Sequence, residues 1–247
     1  MEEDFYSRYF EIEDRHWWFV GRREIFLRVL DRHLPAADGR ERRILDVGCG
    51  TGTMVGHLSR YGRAEGVDAS EEAVRFCHER GVESATHAAG VPLPFDDATF
   101  DLVTALDVVE HVERDDELLA DLRRITRPGG MLLESVPAFQ FLWGLQDEVS
   151  HHKRRYTAPQ LEGRMTAAGW SRRRLSYFNT FLFAPIAAVR LVRRGTGREP
   201  QVQSDFELTP PGRLNSLLAR TFAAEASLLE RTDLPFGVSV LALASRD

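Results

Sequence analysis

The chain has 247 residues, 43% of them hydrophobic and 28% charged, and its formal net charge at pH 7 is −6. This length suits one α/β domain with additions and allows a substantial core. The acidic balance argues against a general nucleic-acid binder, and no apolar run approaches the roughly 18 residues that span a bilayer.

Two further features of the composition concern location and metal chemistry. The first residues, 1–4, are acidic and lack the basic and then apolar profile of a signal peptide, so we expect a cytoplasmic protein. The two cysteines, Cys49 and Cys77, have no metal-ligand spacing. We therefore expect neither a disulfide nor a bound metal ion.

The N-terminal stretch, residues 4–34, is unusually aromatic and contains the run H-W-W-F at 16–19. From residue 25 an apolar helical stripe continues to Leu34, and Pro35 ends it, which predicts a helix packed on the edge of a sheet. Three consecutive aromatic side chains point in different directions from a helix, so not all of them can face one core.

The stretch I-L-D-V-G-C-G-T-G, residues 44–52, predicts a buried strand, a glycine turn and the start of a helix. Glycine lets the backbone turn sharply and lets a ligand approach closely. The N–H groups at the helix start should then face the ligand. The spacing G-x-G-x-G differs from the dinucleotide fingerprint G-x-G-x-x-G. The residues that we expect to bind the ligand here are Asp46, Gly48, Cys49, Gly50 and Gly52.

The second strand is predicted at 64–67 and ends at Asp68. An acidic residue about 20 positions beyond the glycine turn is where nucleotide-binding α/β folds hold the ribose diol. Alternatively, Asp68 caps the helix predicted at 71–80, but Ser70 is the better cap and leaves Asp68 free. We therefore assign Asp68, with Ala69 beside it, to ligand binding.

The third strand is predicted at 85–89 and the fourth at 100–106, with the pattern L-P-F-x-x-x-x-F-D between 93 and 101. Asp107 and His111 follow the fourth strand. Ligands in open α/β sheets bind outside such strand ends, so both residues are candidates for the site.

A polar-faced helix is predicted at 113–127, and R-P-G-G at 127–130 is predicted to turn into a fifth strand at 131–136. With these elements in order, the string D-V-G-C-G-T-G resembles motif I of the class I S-adenosylmethionine-dependent methyltransferases. The L-P-F and R-P-G-G stretches also resemble this family, and the resemblance is densest over 42–136. The resemblance implies an α/β fold with a Rossmann-like seven-stranded sheet, and S-adenosylmethionine as cofactor.

The resemblance also implies roles for the N-terminal residues. In related folds, N-terminal helices form a lid over the cofactor and substrate, which here corresponds to residues 1–35. Trp18 suits such a lid because aromatic faces attract a sulfonium cation. Arg22 or Arg23 could pair with the cofactor's carboxylate.

Two further positions are carried over from the family. An aspartate usually reaches the adenine amino group at the position that Ala89 occupies here, so only backbone groups of Ala89 and Gly90 are available to the adenine. The family commonly places a residue like Asp107 beside the methionine moiety.

The loop at 137–156 ends in H-H-K-R-R-Y, which with H-W-W-F resembles a bacterial, methyltransferase type 11-like subgroup that acts on small molecules. His151, His152 and His111 are candidates for a general base that activates a hydroxyl acceptor. Alternatively, the basic run at 153–155 is a solvated or salt-bridged turn, or binds a phosphorylated acceptor. Two adjacent histidines without a third ligand do not make a metal site.

The last two strands are predicted at 170–178 and 237–244, and about sixty residues separate them, far more than a loop requires. We predict two helices in this insertion, 179–235, which itself lies within a methyltransferase domain at 36–247. The helices could roof the substrate pocket, form the contact of a homodimer, or lie on a membrane surface through 181–194. The chain would then be a monomer or a homodimer.

These observations favour a methyltransferase that acts on a small molecule, such as a secondary metabolite, a sugar or a lipid- or isoprenoid-linked acceptor. An alternative is an enzyme of the same fold that binds S-adenosylmethionine but catalyses a cyclisation or rearrangement. A third hypothesis is a non-enzymatic binding protein, against which the intact glycine turn and Asp68 argue. We expect no nucleic-acid partner.

Overall fold

The computed structural model describes residues 4–35, 39–196 and 212–247, which form a seven-stranded sheet covered by helices on both faces. The strands are β1 (Arg43–Val47), β2 (Arg63–Asp68), β3 (Ala85–His87), β4 (Phe100–Leu106), β5 (Thr126–Pro137), β6 (Ser171–Phe178) and β7 (Ser239–Ser245). The helices are α1 (Asp4–Ile12), α2 (Trp17–His33), α3 (Thr53–Leu58), α4 (Glu71–Glu79), α5 (Asp115–Ile125), α6 (Leu145–Val149), α7 (Ala158–Ala167), α8 (Phe183–Thr196) and α9 (Gly212–Leu229).

The strand order is β3-β2-β1-β4-β5-β7-β6, and only β7 runs antiparallel to its neighbours. This arrangement confirms the predicted α/β class and the Rossmann-like sheet. The order reverses between β1 and β4, and the glycine turn follows β1 at that point. Ligands of open α/β sheets bind at such a reversal.

Alternate residues of the central strands enter two separate cores. On β7, for example, Val240 and Ala242 join the core that includes α5 and α7, whereas Leu241 and Leu243 join the core that includes α2 and α9. Both faces are covered, so these strands are mostly apolar.

Local sequence signals fix the starts of two helices. The side chain of Ser70 accepts a hydrogen bond from the N–H of Ala73 at 3.3 Å and so caps α4. Thr157 and Gln160 form a capping box at the start of α7. Each of these devices uses partners only three residues apart, which is why the sequence shows them.

The R-P-G-G stretch differs from its prediction as a turn, because it forms the beginning of β5. Gly129 adopts a φ of +78° and its N–H donates to the carbonyl of Arg246 at 2.6 Å. The pairing with β4 shifts register between Phe100 and Leu102. The glycines therefore make an irregularity within a paired strand, and not a break before it.

The segment between β6 and β7 contributes α8 and α9, so both predicted helices are present. Residues 197–211 between the two helices lie outside the described residues. Helix α9 packs so closely on α2 that a Cβ on Gly21 would lie 2.4 Å from Cδ1 of Phe222. None of the helices in the described ranges is long and apolar enough to cross a membrane.

The junction of α1 and α2 is joined to α9 by one side chain. Asn215 accepts a hydrogen bond from the N–H of Trp17 at 2.8 Å and donates one to the carbonyl of Arg15 at 2.7 Å. The Trp17 ring also lies 6.0 Å from that of Phe222. The N-terminal helices and the inserted helix thus share one set of contacts.

Candidate active site

A cavity of about 780 Å³ lies at the carboxyl ends of β1, β2 and β4. Helices α1 and α2 cover one end of it, and α8 and α9 contribute to the other. Cavities of a few hundred to about a thousand Å³ suit small-molecule ligands. The cavity is large enough for a nucleoside-sized cofactor together with an acceptor.

The glycine turn forms part of the cavity floor. Gly50 has a φ of +55°, and a Cβ added there would meet only Glu13 Oε1, at 4.0 Å, so the space above it is open to a ligand. At Gly48 a Cβ would lie 2.5 Å from Val108 Cγ2, so that glycine is needed for packing. Gly52 is outside the cavity lining and packs near Cys77.

Four N–H groups of the glycine turn are already used in hydrogen bonds within the protein. Those of Gly48 and Cys49 both donate to the carbonyl of Val67, at 2.8 and 3.1 Å, and that of Gly52 donates to the carbonyl of Cys49. The N–H of Gly50 donates to Asp68 Oδ2 at 2.9 Å. A turn with these donors already used favours close approach of an uncharged group over binding of a phosphate.

Asp68 both organises the turn and lines the cavity. Its Oδ2 accepts from Gly50, and its Oδ1 accepts from the N–H of Ser70 at 2.9 Å. Burial raises the pKa of Asp68, although these backbone N–H groups oppose that effect. Each carboxylate oxygen keeps a further lone pair for a diol. Ala69 also lines the cavity beside it.

Asp46 is buried beneath the turn and also borders the cavity. Its Oδ1 accepts a hydrogen bond from the hydroxyl of Thr104 at 2.5 Å. Burial raises the pKa of Asp46 to about 7, against the opposing effect of Thr104.

Of the predicted lid residues, Arg22 forms a charged pair with Asp107, and Trp18 places its aromatic ring against Arg22. The guanidinium of Arg22 forms an ion pair with Asp107 and lies 4.1 Å from the centre of the Trp18 ring. Asp107 also accepts a hydrogen bond from the hydroxyl of Ser135 at 3.1 Å. Adjacent positive and negative groups match the carboxylate and ammonium of an amino acid. The alternative cation, Arg23, lies 3.9 Å from Asp14 and also borders the cavity.

Glu13 is a site residue that the sequence did not reveal. Its Oε2 accepts hydrogen bonds from the hydroxyls of Thr51 at 2.5 Å and Thr53 at 2.6 Å. The end of α1 is thereby fixed to the glycine turn. The partners are 38 and 40 residues away, so no local pattern identifies them.

The adenine end differs slightly from the prediction. Gly90 borders the cavity as expected, but Ala89 is exposed and is not part of its wall. The neighbouring Ala88 lines the cavity, and its N–H donates to the carbonyl of Asp68 at 2.9 Å. The strand β3 ends at His87, earlier than predicted, so the chain turns away before Ala89.

Two of the three candidate histidines meet at the far end of the cavity. The rings of His111 and His152 lie 4.6 Å apart, and Nδ1 of His152 donates to Asp147 Oδ1 at 2.9 Å. Burial lowers the pKa of His111 to about 4, with His152 contributing in the same direction. His151 is exposed and outside the cavity lining, so the structure does not support it as a catalytic residue.

Asp147 is the anionic centre behind these histidines. Burial alone would raise its pKa, but hydrogen bonds from His152 and Arg155 outweigh that effect and lower the pKa to about 2. Arg155 donates through Nε to Asp147 Oδ1 at 2.8 Å, and Arg190 lies 3.4 Å from Oδ2. The carboxylate therefore stays ionised over the physiological range.

The basic run at 153–155 is a salt-bridged turn, which was one of the predicted alternatives. Arg155 is buried against Asp147, and Arg154 lies 3.0 Å from Asp115. Lys153 lies 4.0 Å from Glu113. With both arginines paired to carboxylates, the structure favours the salt-bridged turn over the alternative of a phosphate-binding run.

A third potential metal ligand also reaches this end of the cavity. Glu110 lies beside His111, and the ligand atoms of Glu110, His111 and His152 are within 4.8 Å of one another. The adjacent pair His151 and His152 does not form this cluster, because only His152 belongs to it. The sequence separation of 42 residues between Glu110 and His152 hides this arrangement.

The roof of the cavity is mostly apolar. Helix α8 contributes Ile186 and Val189, and α9 contributes Leu218, whereas Arg190 and Arg193 of α8 add two cations. Asn179 lies on the cavity wall and is 1% exposed, and neither amide atom of its side chain has a hydrogen-bond partner among the described residues. An acceptor bound here would meet an apolar surface with few polar groups.

Comparisons with known proteins agree with this geometry. Residues 45–133 match the family described as Methyltransferase domain. The chain is 37% identical over 98 residues to a ubiquinone biosynthesis O-methyltransferase of Maricaulis maris, covering 37% of this chain and 39% of that protein. It is 35% identical over 104 residues to a fatty-acid O-methyltransferase of Mycolicibacterium smegmatis, covering 39% and 38%. The chain thus spans about two fifths of the length of these curated relatives.

The similarity of the fold extends over the whole chain. A methyltransferase solved in complex with the Haloferax volcanii Trm112 methyltransferase activator superposes with a TM-score of 0.62 at 17% identity, covering 99% of this chain and 96% of that one. The fold is that of the class I S-adenosylmethionine-dependent methyltransferases. The chain carries the Methyltransferase domain of that class at residues 45–133. The family, fold and cofactor class predicted from sequence are confirmed.

Proposed function

We propose that the protein transfers a methyl group from S-adenosylmethionine to a hydroxyl of a small, partly apolar molecule. One observation carries this proposal. A single cavity joins the floor of Gly50 and Asp68 to the histidines His111 and His152 beneath an apolar roof. A cofactor and an acceptor placed in it would lie in contact, with water excluded.

The residues at the first end fit the cofactor group by group. Asp68 has the free lone pairs for the ribose diol, and Gly50 leaves room for close approach. The pair Arg22 and Asp107 presents opposite charges to the carboxylate and ammonium of the methionine moiety. Trp18 offers an aromatic face beside them. S-adenosylmethionine supplies an electrophilic methyl group on a sulfonium, so the protein's task is to position the acceptor.

An oxygen acceptor is favoured by the groups at the second end. His111, His152 and Glu110 can bind a hydroxyl and favour loss of its proton. In the transfer, the C–O bond forms as the C–S bond breaks, the hydroxyl proton passes to one of these three side chains, and S-adenosylhomocysteine is released. The two relatives described above are named O-methyltransferases, which supports the same acceptor atom.

Among the three roles considered for α8 and α9, a roof over the acceptor is favoured, because both helices line the cavity.

Membrane-surface contact through 181–194 stays a proposal, supported by exposed Leu191 and Val192 beside Arg194. Sedimentation with anionic vesicles tests that contact, and analytical ultracentrifugation distinguishes a monomer from a homodimer. The expected partner remains a small molecule and not a nucleic acid.

Calorimetric titration of the purified protein with S-adenosylhomocysteine, with adenosine and NAD as controls, tests the cofactor site. Selective micromolar binding is expected. Transfer of a labelled methyl group to hydroxylated apolar molecules then tests the reaction. Absence of S-adenosylhomocysteine binding, with and without acceptors, would contradict the proposal. Product formation without consumption of S-adenosylmethionine would favour the cyclisation or rearrangement alternative.

A further inference from the structure

Three side chains with metal-ligating atoms converge at the acceptor end of the cavity. Glu110 and His111 belong to a short 3-10 helix, Val109–His111, that follows β4, and His152 lies in the turn after α6. One ligand atom from each residue lies within 4.8 Å of the other two. All three residues line the cavity, so a ligand in the cavity can reach an ion between them.

Glu110 supplies an independent indication that a cation belongs here. Its side chain is 0% exposed, and neither carboxylate oxygen has a hydrogen-bond partner among the residues that the structure describes. A buried carboxylate without donors is costly. The nearest recorded cationic partner, His152 Nε2, is 3.9 Å from Oε1 and is too far for a hydrogen bond. A metal ion would satisfy both oxygens.

The histidines are held as metal-bound histidines usually are. Nδ1 of His152 is bonded to Asp147 at 2.9 Å, which leaves Nε2 directed toward Glu110. The backbone of Ser150 lies close enough to His111 to raise the pKa of that ring, against the larger effect of burial. Outer partners of this kind, a carboxylate or a backbone carbonyl, fix the ring orientation of ligating histidines. Asp147 is fixed in turn by Arg155 at 2.8 Å and by the N–H of Gly144 at 2.8 Å.

We propose that Glu110, His111 and His152 bind one divalent transition-metal ion, whose open coordination positions face the cavity and hold the acceptor's hydroxyl oxygen. Two imidazoles and one carboxylate form a set that binds Zn²⁺, Mn²⁺ or Fe²⁺ and leaves positions for a substrate. Metal–ligand bonds of about 2.0–2.2 Å join atoms up to about 4 Å apart, so small side-chain rotations suffice. The site itself does not depend on the proposed methyl transfer, but the role in holding a hydroxyl does.

The test uses the full chain, stripped with a chelator and titrated calorimetrically with Zn²⁺ and, separately, with Mn²⁺. One ion per chain is expected. Glu110→Gln and His152→Ala should each lower the affinity at least tenfold, and Asp147→Asn should lower it about 10–100-fold as an outer partner. His151→Ala is the matched control, because that histidine is adjacent in sequence but exposed, and it should bind as the wild type does.

The same variants are titrated with S-adenosylhomocysteine, which reports folding and the cofactor site independently. Loss of metal binding with cofactor binding retained supports the metal site, even if no acceptor is ever methylated. If His152→Ala does not fold, the nearly isosteric Glu110→Gln decides the question. No binding of either ion at 100 times the protein concentration, or binding that Glu110→Gln leaves unchanged, would overturn the proposal.

Discussion

Among single residues, Asp68 joins two parts of the fold through one side chain. It accepts the N–H of Gly50 through one oxygen and the N–H of Ser70 through the other. The turn and the start of α4 are thereby fixed relative to each other. The carboxylate is a structural part of the turn and, in our proposal, also the group that binds the ribose.

Replacing Asp68 by alanine should weaken binding of S-adenosylhomocysteine by about 1–3 kcal/mol, or roughly 5–150-fold, because charged hydrogen bonds are lost. Isothermal titration calorimetry measures the change. Ser70→Ala is the control, since it removes only the cap of α4. It should cost about 1 kcal/mol of folding free energy and leave binding nearly unchanged. Equal affinities for Asp68→Ala and the wild type would limit Asp68 to a structural role.

The residues that sequence analysis found are those with local signals. Short sequence patterns were enough to identify motif I, the helix cap that Ser70 forms, and the position of Asp68. Glu13, Glu110 and Asp147 carry no such signal, because their partners come from distant parts of the chain. The use of the turn's N–H groups by Val67 and Asp68 was also hidden, because it depends on how β2 lies beside the turn.

Among the elements, the packing of α9 on α2 shows how an insertion becomes part of the core. Phe222 is fully buried, stacks on Phe178 at 6.1 Å, and occupies the space that the missing Cβ of Gly21 leaves. The sequence predicted both helices from their periodicity. It could not place α9 against α2, because that contact depends on a single glycine far away in the chain.

Gly21→Ala should therefore lower the free energy of unfolding by about 1–3 kcal/mol through overpacking against Phe222. Urea unfolding measures the loss. Gly56→Ala is the matched control in α3, where an added Cβ meets no atom within 4 Å. That substitution should be neutral or stabilise by up to about 1 kcal/mol.

A second variant separates overpacking from a general effect at position 21. Phe222→Leu combined with Gly21→Ala should be more stable than the sum of the two single changes implies, because the smaller side chain makes room. Additive effects of the two substitutions would contradict a direct contact between them.

In the molecule as a whole, buried acids make stability depend on pH. Glu134 lies in the middle of β5, is 0% exposed, and has no hydrogen-bond partner for either oxygen among the described residues. Burial, with a smaller contribution from Asp115, raises the pKa of Glu134 from 4.5 to about 8. The folded chain therefore keeps a proton that the unfolded chain releases.

Because the folded state binds more protons, stability should fall as pH rises from 4.5 to about 8 and then level off. The slope from one group is at most about 1.4 kcal/mol per pH unit. Glu134→Gln removes this group, so the variant should gain stability relative to the wild type across that range. Thermal unfolding at several pH values measures the difference. A constant difference over the range would show that Glu134 is not the titrating group.

The side chain of Asn215 in α9 forms hydrogen bonds with the backbone of Arg15 and Trp17, at the junction of α1 and α2. It therefore joins the helices that cover the cofactor end of the cavity to a helix that covers the acceptor end. The two covers of the cavity therefore share one pair of hydrogen bonds. If the proposed transfer occurs, a movement that uncovers one ligand would also loosen the enclosure of the other.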